Sequence, residues 1–204
     1  MSLEEGKARE ELLAAAMSPP ASGTYHYDVS LTNPFGSGEA EASFITSVPI
    51  EIEPGKWRVK TEWRMDTPPV TLIRRKTELW TREGLLREEE EVENLYSSKT
   101  IRCRYDPPLL SLRFPIVLGD KWEVAVDCQD QRDTQRYDVV EFEDVRVDRE
   151  DLDAVVIHRV SLRDDRTNVY WFSPQHRLFL KLFENDRQAS TETTQVLRST
   201  VPGL

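Results

Sequence analysis

The sequence has little of what most enzyme and cofactor sites require: 8 glycines, 3 histidines and 2 cysteines among 204 residues. It contains no glycine-rich phosphate loop, no histidine pair at metal-ligand spacing and no C-x-x-C motif. No G-x-S-x-G motif marks a hydrolase nucleophile. No apolar run approaches the roughly 20 residues of a membrane-spanning helix. We therefore expect no cofactor, no metal and no transmembrane segment, and we identify no catalytic residue.

Positive charge is also scarce. Lysine and arginine number 27 against 37 aspartates and glutamates, which gives a net charge of −10 and a pI near 4.9. Nucleic-acid binding needs a basic surface, so the composition argues against it. The chain nevertheless contains five tryptophans, six tyrosines and seven phenylalanines, which exclude a disordered chain.

The first 20 residues are predicted to form a short helix and a linker. Ser2 and Glu5 fit a capping box, and Pro19 and Pro20 end the helical pattern. We expect the main antiparallel β domain to span residues 21–204. The charged start is no signal peptide, and we expect a native N-terminus, with a lipid anchor, outside this sequence.

From residue 22 onward the apolar residues recur at every second position. One such row is Trp57, Val59, Trp63 and Met65, and another is Trp122, Val124, Val126 and Cys128. This period is typical of antiparallel strands with one dry and one wet face. Turn signals at 33–38, 53–56 and 82–84 separate roughly ten strands. The pattern predicts a mainly β fold: a single curved antiparallel sheet, either an open half-barrel or a barrel-like meander.

The two cysteines, Cys103 and Cys128, both fall on the apolar phase of their strands. If the strands are paired, the two residues lie nearly opposite and can form a disulfide, which would indicate an oxidising compartment. The alternative is two reduced cysteines that serve as small core residues.

Other candidate sites are weaker. The run Glu88–Glu91 lacks the glycine and the oxygen spacing of a calcium loop. Asp148 to Asp153 is interpreted as an acidic hairpin turn. His158, which follows an apolar run, is the best single candidate if the protein is an enzyme.

The aromatic residues are more informative, because they are spread over most strands. A sheet that curls without closing leaves a concave apolar face that must be covered by a helix, a partner or a ligand. We select Trp57, Trp63, Trp122, Tyr105 and Phe172 as ligand-binding candidates for an acyl chain or a similar apolar molecule. The alternative is an ordinary packed core.

Two segments resemble a known kind of domain. They are Tyr105–Pro108 with Phe114–Trp122, and Val169–Pro174 with Leu178–Lys181. They are similar to uncharacterised extracytoplasmic bacterial domains that look like the half-barrel of outer-membrane lipoprotein carriers and sensors. Arg177 stands where the turn of those domains usually carries glycine. The resemblance implies an extracytoplasmic location and an apolar ligand, and it supplies no catalytic residue.

Three functions follow as hypotheses. The first is a non-catalytic extracytoplasmic β domain that binds a lipid or another apolar molecule on its concave face. The second is a structural or protein-interaction module whose core is filled by its own side chains. The third is a small-molecule enzyme, which would need polar groups that converge inside an apolar pocket. A cytoplasmic location is the alternative to the extracytoplasmic one, and the sequence does not determine the oligomeric state.

Overall fold

The computed structural model describes residues 18–67, 70–129 and 131–203. The predicted N-terminal helix falls outside these residues, and the domain boundary at residue 21 stays a prediction. The strands are β1 (Gly23–Asn33), β2 (Gly36–Thr46), β3 (Ile50–Glu53), β4 (Lys56–Thr67), β5 (Val70–Trp80), β6 (Gly84–Asn94), β7 (Lys99–Arg113), β8 (Lys121–Cys128), β9 (Gln131–Val147), β10 (Glu150–Ser161), β11 (Thr167–Ser173), β12 (Leu178–Asp186) and β13 (Thr191–Leu197).

All these strands join one antiparallel sheet, so the predicted curved antiparallel fold is confirmed. Twelve of them follow the order β7-β6-β5-β4-β2-β1-β13-β12-β11-β10-β9-β8, and β3 pairs with β4 beside this path. The estimate of about ten strands was low for a physical reason. With four residues, β3 is too short to show an alternation, and the sequence TETTQVL of β13 has few apolar residues.

The sheet curls into a barrel whose two edge strands, β7 and β8, come together. Cys103 on β7 and Cys128 on β8 form a disulfide across this seam, with their Cα atoms 5.1 Å apart. The segment 114–120 connects the two strands at one end of the seam. It is anchored by hydrogen bonds from Phe114 N to Glu83 O (2.9 Å) and from Gly119 N to Val139 O (2.8 Å).

The two ends of the barrel differ. Because the strands are antiparallel, successive turns alternate between the ends. The turns at 54–55, 82–83 and 174–177 share one end with the segment 114–120, and we call it the closed end. The turns at 34–35, 95–98 and 162–166 lie at the other end, which we call the mouth.

Aromatic side chains fill the closed end. Phe114 lies between opposite walls, with its ring centroid 5.7 Å from that of Trp80 on β5 and 6.4 Å from that of Phe172 on β11. Trp122 stacks on Tyr137 with ring centroids 4.9 Å apart. These residues belong to one buried cluster, the closed-end core, which blocks the barrel at this end.

A second buried cluster joins the part of the β9–β10 hairpin next to its turn to β1, β2, β11, β12 and β13. Strand β10 contributes to both clusters: Val155 and Ile157 lie in the closed-end core, and Ala154 and Val156 lie in the second one. This explains the continuous apolar run 154–157, because a strand buried on both faces loses its alternation. At the β11–β12 turn, Arg177 has a φ of 59°, the left-handed conformation that glycine favours at such turns.

Candidate functional site

A cavity of about 440 Å³ lies inside the barrel, on the mouth side of the closed-end core. Its size is within the range of small-molecule binding sites. A larger groove of about 610 Å³ lies on the outer face and is lined by charged side chains. There Arg75 contacts Glu62, Glu91 and Glu93 at 2.8–3.0 Å, so these charges satisfy one another. The interior cavity is therefore the better candidate site.

The wall near the mouth is apolar on the side of β4 to β7. Met65 pairs with Leu72 across β4 and β5, and Val92 pairs with Ile101 across β6 and β7. All four border the cavity. Trp63 lies one step deeper, where its Nε1 donates to Gln195 Oε1 at 3.0 Å. These side chains form a surface on which an apolar chain can lie without losing hydrogen bonds.

Charged side chains line the deeper part of the cavity. On β5 the inward positions are Leu72, Arg74, Lys76 and Glu78, in order from the mouth toward the closed end. On β6 an extra residue, Glu88, shifts the register, since Thr77 pairs with Glu89 and Glu78 with Arg87.

This bulge brings both Arg87 and Glu90 into the cavity. The carboxylate of Glu90 contacts two of the surrounding cations. Its Oε2 accepts a hydrogen bond from Arg87 Nη1 at 2.7 Å, and its Oε1 lies 3.5 Å from Arg74 Nε. Burial alone would raise the pKa of Glu90, but Arg87, Arg74 and Lys76 hold it well below its usual range. Burial would likewise lower the pKa of Arg87, but Glu90 and Glu78 raise it. Both groups are therefore charged at neutral pH.

Lys76 is the cation whose charge is held least firmly. Burial, followed by the charge of Arg87, lowers its pKa to about 8, although Glu78 and Glu90 act in the opposite direction. Its Nζ lies 4.0 Å from Glu78 Oε1, a long contact. Glu78 in turn accepts a hydrogen bond from Thr61 Oγ1 at 3.3 Å.

Tyrosine hydroxyls add neutral polar groups to the cavity. Tyr105 donates to Glu90 Oε2 at 3.3 Å, and burial followed by the nearby Glu90 raises the pKa of its hydroxyl to about 12. Burial also raises the pKa of Tyr170 to about 12. Tyr27 donates to Phe179 O at 2.8 Å. These hydroxyls stay protonated at neutral pH, so they serve as neutral hydrogen-bond donors.

The structure separates the predicted ligand-binding residues into two groups. Trp63 and Tyr105 line the cavity. Trp57, Trp122 and Phe172 lie in or against the closed-end core. A ligand would reach the second group only if that core opened, so ligand contact there stays a prediction.

The remaining candidates lie elsewhere. Cys103 and Cys128 line the cavity as a disulfide. His158 is exposed on the barrel wall, outside the cavity. The glutamate run forms ion pairs with arginines on both faces of β6: Glu88 with Arg58 on the outside and Glu90 with Arg87 on the inside. Within residues 18–67, 70–129 and 131–203, no group of three or more His, Cys, Asp or Glu side chains could hold a metal ion.

Sequence reasoning missed the four cations of the deeper part of the cavity, Arg74, Lys76, Arg87 and Arg159. A signal existed on β5, where Arg74 and Lys76 share the phase of Leu72 and Trp80. Charged residues on an otherwise apolar phase indicate a cavity or an ion pair in the interior. No comparable signal existed on β6, because the bulge at Glu88 changes the phase inside a polar run.

No family model matches the chain, and no curated protein matches it. Three solved structures are similar to it. A candidate lipoprotein from Parabacteroides distasonis has 12% identity over 90% of this chain and 97% of that chain, with a TM-score of 0.42. A candidate outer-membrane lipoprotein-sorting domain from Vibrio parahaemolyticus has 11% identity over 97% and 92%, with a TM-score of 0.37. A DUF1329 family protein from Desulfovibrio piger has 13% identity over 97% and 94%, with a TM-score of 0.39.

One of these neighbours is described as a lipoprotein and another as an outer-membrane lipoprotein-sorting domain, the kind of domain that the sequence motifs resemble. At such identities and TM-scores we base no conclusion about function on the likeness. The described part of the chain contains no helix that is long and apolar enough to cross a membrane.

Proposed function

We propose that this domain is a non-catalytic binding protein that holds a lipid or another apolar molecule inside its barrel. The observation that carries the proposal is the cavity of about 440 Å³ above the closed-end core. One wall of this cavity consists of the apolar side chains of Met65, Leu72, Val92 and Ile101. Covering such a surface with a ligand is favourable by about 25 cal/mol per Å² of apolar area.

We further propose an extracytoplasmic location. The disulfide between Cys103 and Cys128 supports it, because structural disulfides persist mainly in oxidising compartments. The proposal includes the lipid anchor expected at a native N-terminus. Processing and labelling of the full-length protein in cells with radioactive palmitate would test the anchor.

The first experiment identifies what the protein carries. Purified protein is extracted with organic solvent for mass spectrometry, and native mass spectrometry is run on the intact protein. We expect a stoichiometric apolar molecule in the extract and the same mass as an adduct on the protein. A native mass without an adduct, together with no saturable lipid binding by delipidated protein, would overturn the proposal in favour of the interaction module.

A pair of variants locates the site. Val92→Trp places a large side chain in the cavity wall, and Leu95→Trp places the same side chain at a position that is 47% exposed near the mouth. We expect Val92→Trp to reduce lipid binding by at least about tenfold, which corresponds to about 1.4 kcal/mol. Leu95→Trp should bind as the wild type does. Equal binding by both variants would place the ligand outside the cavity.

A further inference from the structure

Inside the barrel, cations outnumber the carboxylates that face them. Arg74, Lys76, Arg87 and Arg159 border the deeper part of the cavity, and only Glu78 and Glu90 lie among them. The chain as a whole carries a net charge of −10, so this local excess of positive charge runs against the composition.

The other cavity carboxylates, nearer the mouth, are already engaged. Glu184 lies 3.8 Å from Arg166 and accepts a hydrogen bond from Asn168. Asp164 also lies 3.8 Å from Arg166, and Asp133 accepts hydrogen bonds from the backbone N–H groups of Thr134 and Arg163. Of these three carboxylates, Glu184 partly compensates one deeper cation, Arg159, and the other two are engaged near the mouth.

The arginines also keep donors without partners. The Nε atoms of Arg87 and Arg159 are buried and make no hydrogen bond to another group of the described chain, and the buried Nε of Arg74 has only a long contact of 3.5 Å with Glu90 Oε1. Only 10% of the Arg87 side chain is exposed. A buried charged donor that lacks an acceptor is costly, and an ionised acceptor in the cavity would remove that cost.

These cations converge from different walls of the barrel. Arg159 on β10 lies with its guanidinium 5.5 Å from the ring centroid of Tyr170, and its Nη2 donates to Asn168 Oδ1 at 2.6 Å. Burial lowers the pKa of Arg159, and the charge of Arg87 on β6 acts in the same direction. Nearby tyrosines and Glu184 outweigh both effects, so the pKa of Arg159 is raised overall. Burial raises the pKa of Tyr170, and the charge of Arg74 on β5 acts in the opposite direction. The positive charges therefore face one shared space.

The apolar wall lies directly above this space. Leu72 is one inward position nearer the mouth than Arg74, and Val92 is one inward position nearer than Glu90. A molecule whose charged group reached the arginines would thus lay its next atoms along Leu72, Val92 and Ile101.

We propose that the cavity binds a single-chain amphiphile with its acidic headgroup, a carboxylate or a phosphate monoester, held deep in the barrel by Arg74, Arg87 and Arg159 and its tail directed toward the mouth. This inference rests on the proposed function and names its ligand class. Guanidinium groups suit the task because they remain charged when buried and bind two oxygens of a carboxylate or phosphate at once.

The test compares ligands that share a tail but differ in the headgroup. Isothermal titration calorimetry of the delipidated full chain uses dodecanoate, dodecyl phosphate and dodecanol, with inorganic phosphate as the ligand without a tail. We expect dodecanoate and dodecyl phosphate to bind about 10- to 100-fold more tightly than dodecanol, as charge-assisted hydrogen bonds in a buried site predict. Inorganic phosphate alone should bind far more weakly than dodecyl phosphate.

A matched pair of variants tests the residues. Arg74→Gln removes an interior charge, and Arg75→Gln removes the same charge from the next residue on the outer face. We expect Arg74→Gln to weaken dodecanoate binding at least about tenfold and to leave dodecanol binding unchanged. Arg75→Gln should alter neither.

The outcomes separate this inference from the proposed function. Equal affinity for dodecanol and dodecanoate would overturn the headgroup site and leave the apolar-ligand proposal intact. Binding of none of the tailed ligands would overturn both. Equal affinity for inorganic phosphate and dodecyl phosphate would show a free-anion site and also overturn the amphiphile. If Arg74→Gln does not fold, the comparison of headgroups on the wild-type protein still tests the headgroup site.

Discussion

The closed end and the cavity are built on the same strands but follow opposite rules. On β5 the inward positions change from Trp80 at the closed end to Glu78, Lys76 and Arg74 in the cavity. The closed end is filled by interlocking aromatic rings, whereas the cavity holds charges that only partly compensate one another. Packed rings stabilise a fold, and uncompensated buried charge opposes it. The barrel therefore concentrates stability at one end and keeps the other available for a ligand.

The largest expected effect is at the closed end. Phe114→Ala removes the ring that bridges Trp80 and Phe172, and we expect it to lower the free energy of unfolding by about 3–5 kcal/mol, as for other buried phenylalanines. Denaturant unfolding followed by tryptophan fluorescence measures this. Phe35→Ala, at a position that is 98% exposed, is the control and should cost less than about 0.5 kcal/mol. A loss below about 1 kcal/mol for Phe114→Ala would mean that the closed end is not a rigid core.

The next largest effect on stability is expected at the seam between β7 and β8. The disulfide joins residues 25 apart in sequence, and its removal should lower stability by about 3 kcal/mol through the larger entropy of the unfolded chain. Unfolding of the Cys103→Ser/Cys128→Ser double variant, compared with wild type under oxidising and reducing conditions, measures it. Wild type under reducing conditions should match the double variant. If reduction left the unfolding curve unchanged, the seam would be held by the barrel alone.

The cavity should respond to the loss of its central carboxylate. Glu90→Gln leaves Arg87 and Arg74 without their shared partner, and we expect a loss of about 2–3 kcal/mol. Glu89→Gln is the matched control, since this residue faces outward, is 55% exposed and lies 3.9 Å from Arg104. Exposed pairs contribute less than about 1 kcal/mol. Equal effects of the two variants in thermal unfolding would show that the interior charges are fully hydrated, which would remove the contrast with the closed end.

The sequence predicted the strands of the closed end better than those of the cavity, because apolar residues alternate with polar ones there without interruption. Trp122 and Val124 follow the dry phase without interruption, so their strand and its buried face could be predicted. The turn at 33–36 could be predicted as well, because Asn33, Pro34 and Gly36 have strong turn preferences.

The cavity residues could not be predicted from the sequence where the register between neighbouring strands changes. The extra residue Glu88 moves Glu90 from the phase it would otherwise have, and β7 skips from Arg104 to Leu109 opposite Glu89 and Arg87. No local pattern in the run of four glutamates marks the one that points inward. Which residues share the cavity depends on how the sheet closes, and closure is set by contacts between β7 and β8 that are distant from the other cavity strands in sequence.

The smallest expected effect concerns the proton on Lys76. Arg74 and Glu78 on its own strand and Arg87 and Glu90 on β6 surround it, and burial followed by Arg87 lowers its pKa to about 8. An unfolded lysine has a pKa near 10.4. Below pH 8 Lys76 is charged in both states, so the cost of burying the charge is fully present. As the pH rises from about 8 to about 10, the folded state loses the proton first, and stability rises relative to a protein without this lysine.

We therefore expect Lys76→Met to be more stable than wild type at pH 7 by about 1 kcal/mol, less than the pKa shift alone implies because the side chain is 24% exposed. This advantage should shrink as the pH approaches about 10. Urea unfolding at pH 7, 8.5 and 10 measures it, and Lys60→Met on the exposed face of β4 is the control with no such trend. An advantage that stayed constant across this range would show that Lys76 titrates as an exposed lysine does. The cavity would then be as wet as the outer surface, and only the closed end would count as interior.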